Sequence, residues 1–78
     1  MTWNPGHLRW TIRAGGNVLL AGTVKALADT AEQVALDALA DYAGLAGLSA
    51  LEMAPLTCTV APDGWPTAVL AEADGRDW

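Results

Sequence analysis

A chain of 78 residues forms one domain around a single core and leaves no room for a second. Its net charge of −5, from nine Asp and Glu against four Lys and Arg, excludes the broad basic surface on which general affinity for nucleic acid or an anionic membrane depends. With 53% hydrophobic and only 17% charged residues, it holds more apolar surface than so small a domain covers, which favours a protein partner: a second copy, or another chain in a larger complex.

After an N-terminal arm over residues 1–7, Leu8, Trp10 and Ile12 alternate with Arg9, Thr11 and Arg13, the period of a half-buried strand. Gly15-Gly16-Asn17 tolerates positive φ, and a second β-rich run follows from Val18 to Val24, so the unit reads as a hairpin. A two-residue loop pairs Ala14 with Asn17 and mixes Arg9 and Arg13 with Val18, Leu20 and Val24. A three-residue loop with Asn17 in the left-handed region pairs Ala14 with Val18, Ile12 with Leu20 and Trp10 with Gly22. That register sorts the faces. Leu8, Trp10, Ile12, Val18, Leu20 and Val24 share one side, while Arg9, Thr11, Arg13, Leu19, Ala21, Thr23 and Lys25 share the other, so the three-residue loop is expected.

Asp29 and Thr30 are N-cap candidates with Glu32 or Gln33 as the reciprocal partner, and they open a helix. Ala31, Val34, Ala35, Ala38, Leu39 and Tyr42 recur at spacings of three and four, one apolar stripe expected to pack on the Trp10 face. Gly44 and Gly47 place the helix end between Tyr42 and Ala46. Leu48 to Met53 fits no single pattern. Leu56, Cys58 and Val60 alternate with Thr57 and Thr59, Ala61-Pro62-Asp63-Gly64 is a turn, and Thr67 to Ala71 is the expected return strand, followed by a polar tail over residues 72–78. The expected fold is α+β, a β-β-α-β-β core over residues 8–71 with one helix packed on one face of an antiparallel sheet.

No residue set points to catalysis or to a cofactor. His7, the only histidine, has no Ser or Cys near it in sequence, and a pairing with Cys58 lacks an orienting third group; Cys58 alternates with Leu56 and Val60 as a small buried hydrophobe does. Asp37 and Asp41 share a helix face, but a pair of carboxylates falls well short of the six to eight oxygens of a calcium site. There is no Cys-x-x-Cys, no paired His and no phosphate loop, so neither a metal nor an enzyme activity is expected. Of four tryptophans, Trp10 belongs to the core, where its ring covers Gly22. Trp3, Trp65 and Trp78 sit beside turns or termini, as core lids or as interface anchors.

Charge layout is the most informative feature. Arg9, Arg13 and Lys25 fall on the outer face of the hairpin with Leu19 and Ala21 among them, whereas the helix displays Glu32, Asp37 and Asp41. Such a body docks an acidic partner, or a copy of itself, through its sheet. The alternative site is the acidic helix face, acting on a basic surface of another protein.

The combination "WTIRAGGNVLLAGTV" with "DTAEQVALDALADYA", residues 10–43, resembles short Ala-rich actinobacterial and actinobacteriophage ββα-type proteins, and Thr30-Ala31-Glu32 resembles the helix opening of HicB-like antitoxin domains. The resemblance carries no functional motif. It implies a non-enzymatic interaction module, a small virion or accessory protein of the bacterial cytoplasm or the virion, or alternatively an acidic inhibitor of a host or defence protein. The start at Met1 without a basic, apolar leader and the lone Cys58 agree with a chain that is not secreted, and no run approaches the ~18 apolar residues that span a bilayer.

Overall fold

The computed structural model describes residues 6–64 and 68–76. Four strands, β1 (His7–Ala14), β2 (Asn17–Lys25), β3 (Leu56–Pro62) and β4 (Ala71–Asp74), form one antiparallel sheet in the order β2-β1-β3-β4. A single 3-10 turn (Ala28–Thr30) leads into helix α1 (Ala31–Ala46), and a short helix α2 (Ala50–Met53) precedes β3. The fold is α+β with the expected β-β-α-β-β order.

The hairpin pairs Trp10 with Gly22 and Ile12 with Leu20 as expected, yet its loop is not the expected one. Ala14 pairs with Asn17 across a two-residue Gly15-Gly16 turn, in which Gly15 has φ +61° and no non-glycine residue has positive φ. Positive φ at the first central position only is the type II′ arrangement, whose twist matches that of the strands. A β-bulge restores the register. Arg13 pairs with Val18 and Ile12 with Leu20, which leaves Leu19 as the extra residue. Val18 therefore crosses from the expected helix face to the side of Arg13.

The helix face of the sheet carries Leu8, Ile12, Leu56, Cys58, Val60 and Ala73, all buried. Helix α1 meets them through Ala31, Ala35, Ala38, Leu39 and Ala43, and the short side chains let it lie close to the strands. Met53 of α2 closes the core with no exposure. Gly47, φ +66°, ends α1 as a left-handed C-cap, within the expected limits, while Gly44 stays helical. Thr30 is the N-cap residue, but its hydroxyl donates back to the Leu27 carbonyl (2.7 Å) and caps nothing. The capping box lies instead at Ser49 and Glu52, where it starts α2 within the stretch that fitted no pattern.

The second hairpin differs from the expected one. Strand β3 continues through Ala61 and Pro62, which pairs with Leu8, and the return strand is Ala71–Asp74; Ala68, Val69 and Leu70 are not in it. Ala73 opposite Cys58 is buried, and so is Gly75, whose amide donates to the Leu56 carbonyl (2.8 Å). The expected polar tail thus begins as a sheet strand.

Candidate interaction surface

Cross-strand register assigns side chains to the outer face of the sheet, to which His7 and Ala61 also belong. Outside the core lie Arg9, Thr11 and Arg13 of β1, Val18, Ala21, Thr23 and Lys25 of β2, Thr57 and Thr59 of β3, and Glu72 and Asp74 of β4. No helix packs on this side among the described residues. Arg9, Thr11, Arg13, Val18, Ala21, Thr59 and Ala61 surround a shallow recess of about 240 Å³.

Arg13 organises that recess. Its direct neighbour on β3 is Thr57, but its guanidinium donates to the Thr59 hydroxyl (2.9 Å), two residues further toward the middle of the face. The acceptor is neutral, so the bond fixes the guanidinium while leaving its charge available to a partner.

The face carries a lateral charge gradient. Lys25, Arg9 and Arg13 stand on the two strands at one edge, threonines fill β3, and Glu72 and Asp74, directly opposite Thr59 and Thr57, stand on the other edge strand. The sequence has the same division: every carboxylate follows Lys25, and every basic residue except Arg76 precedes Ala26. Glu72 and Asp74 escape a reading of the sequence because the chain around them is rich in Ala, Glu and Asp, which strands disfavour; pairing with β3 makes the strand.

The expected interface residues are therefore only partly brought together. Arg9, Arg13 and Ala21 line one recess, Leu19 is the bulged residue beside it, and Lys25 stands at the far end of β2, opposite His7. Trp3, Trp65 and Trp78 lie outside the described residues. Glu32, Asp37 and Asp41 are exposed on α1, on the other side of the sheet.

Cys58 is fully buried, and the cost of ionising it there pushes its thiol up from 9.0 to about 11, against smaller lowering effects from the Thr11 backbone and Arg13. It is a packing residue with little thiolate at neutral pH. Among the described residues no three His, Cys, Asp or Glu come together as metal ligands, and no helix is long and apolar enough to cross a membrane. Comparison with family models, curated proteins and solved structures finds no match.

Proposed function

We propose that the protein is a non-enzymatic interaction module that pairs with a second copy of itself through the outer face of its sheet. The carrying observation is the charge gradient across that face. A two-fold axis lying between two such sheets, parallel to their strands, sets the basic edge of each copy over the acidic edge of the other. Both copies then gain the same contacts. Threonine and alanine at the centre are short enough for sheets to approach to about 10 Å, the spacing of sheets packed face to face. The apolar residues of the contact, Val18 and Ala21 on β2 and Ala61 on β3, flank the arginines of β1, so apolar and charged groups are interspersed across it. The setting we propose, a virion or phage accessory protein, rests on the resemblance of residues 10–43.

Sedimentation equilibrium tests the pairing. The wild-type chain is expected to dimerise, more weakly as salt rises. Reversing Arg9 and Arg13 to Glu should leave monomers, and adding Glu72→Arg and Asp74→Arg to that variant should restore the dimer. A wild-type chain that remains monomeric at high concentration, or a folded fourfold reversal that does not recover pairing, defeats the proposal.

A further inference from the structure

Helix α1 packs chiefly on β3, β4 and β1, so among the described residues the β2 end of the Trp10 side is less fully covered. Between α1 and β2 lies a recess of about 120 Å³ with Trp10, Val24, Val34 and Ala38 as its walls and Asp37 and Asp41 at its border. We propose that this recess takes one cationic side chain, an arginine above all, from a basic partner protein.

The walls and the border act on different parts of such a side chain. A half-exposed indole attracts a cation to its ring, and arginine stacks on aromatic surfaces better than lysine does. Apolar Val24, Val34 and Ala38 suit the methylene stem, which buries along apolar surface while the head stays polar. The volume holds one side-chain head and excludes a folded segment. Asp37 and Asp41 are one turn apart, about 6 Å along the axis, close enough for both to face the donors of one guanidinium.

Among the described residues, none that lines the recess is cationic. Residues 26–75 contain no Lys, Arg or His, and Arg9 and Arg13 point out of the opposite face of the sheet. Among the described residues, the one side-chain hydrogen bond to either carboxylate comes from Gln33, whose amide donates to one Asp37 oxygen (2.8 Å), a neutral contact that steadies Asp37 without cancelling its charge. Two like charges one turn apart repel mildly, and a bound guanidinium relieves that repulsion. The charge of the border and the aromatic wall thus select the same ligand. Because the recess lies across the sheet from the proposed pairing face, the inference stands whether or not the protein dimerises.

The test is an NMR titration of the full chain with N-acetyl-arginine amide, with N-acetyl-lysine amide and with N-acetyl-citrulline amide as the neutral isostere. The arginine compound should shift the Trp10 indole N–H and the amides from Asp37 to Asp41 saturably, in the millimolar range expected for one side chain. Lysine should bind more weakly and citrulline not at all. Asp37→Asn with Asp41→Asn should weaken the arginine response about tenfold, the size expected for two exposed charge contacts, with the melt unchanged or slightly raised. An equal response to citrulline, an unweakened response in the folded double variant, or no shift at Trp10 at saturating arginine compound overturns the assignment. Repeating the titration on the Arg9→Glu, Arg13→Glu chain separates this result from pairing, since a monomer should bind equally well.

Discussion

The Trp10 indole lies across Gly22 on the neighbouring strand, so close that a Cβ at Gly22 would sit 2.7 Å from Trp10 Cζ2. The ring covers backbone that a strand glycine leaves bare, and the missing side chain lets it lie there. Gly22→Ala should push the ring outward, costing about 1–3 kcal/mol in chemical denaturation, with a displaced Trp10 indole resonance. An unmoved resonance at unchanged stability would show that the ring is held elsewhere.

Gly75 is the stricter glycine. A Cβ there would fall on the Met53 carbonyl oxygen, part of the backbone at the end of α2, which cannot swing aside as a tryptophan ring does. Gly75→Ala should therefore be worse than Gly22→Ala, by about 3 kcal/mol or more in total, and should loosen β4 and α2 together. Hydrogen exchange at Gly75 and Ala54 reads both ends of that contact.

Leu19 is the residue that the hairpin can lose. Without it Arg13 still pairs with Val18 and Ile12 with Leu20, now in an unbroken two-residue hairpin. A chain lacking Leu19 should keep Trp10 opposite Gly22 and stay within about 1 kcal/mol of the wild type, whereas deleting Asn17 should cost more because the turn and the bulge must both be rebuilt. Cross-strand amide contacts by NMR check the register in each.

Cys58 sets an alkaline limit. Its folded-state thiol titrates near 11 against 9.0 for an unperturbed one, so above about pH 9 the unfolded chain releases a proton that the folded chain keeps. Stability present below pH 9 should thus be lost progressively as the pH rises to about 11. Melting curves of Cys58→Ala should lack that part of the decline, and alkylation of the wild type at pH 7 should be slow unless denaturant is added.

What the sequence makes legible follows from how local the cause is. Alternation in residues 8–24 specifies the register of the hairpin body, because a slip would turn Leu8 and Ile12 outward. Its loop is not legible, since a shorter turn and one bulged residue at Leu19 give the same body as a longer turn. The helical stripe from Ala31 to Tyr42 reads directly; Ala71–Asp74 does not, for its residues make a strand only when β3 lies beside them. At the candidate surface, Arg9, Arg13 and Ala21 are visible from period two alone. The opposing Glu72 and Asp74, and the meeting of Trp10 with Asp37 and Asp41, depend on strand order and helix placement, which no local pattern encodes.

The central position of β1 has a consequence for the order in which the chain can acquire its structure. One edge of β1 is satisfied at once by β2, its neighbour in sequence, but the other waits for β3: Arg13 meets Thr59 only 46 positions later. As the chain leaves the ribosome, the hairpin emerges before β3, with Leu8, Trp10 and Ile12 uncovered and with two open edges. Closing that long loop is slow compared with forming the hairpin or α1, so docking of β3 onto β1 should limit the rate of folding. Until then the hairpin is a sticky two-stranded ribbon, and any chaperone that attends it should engage residues 7–25.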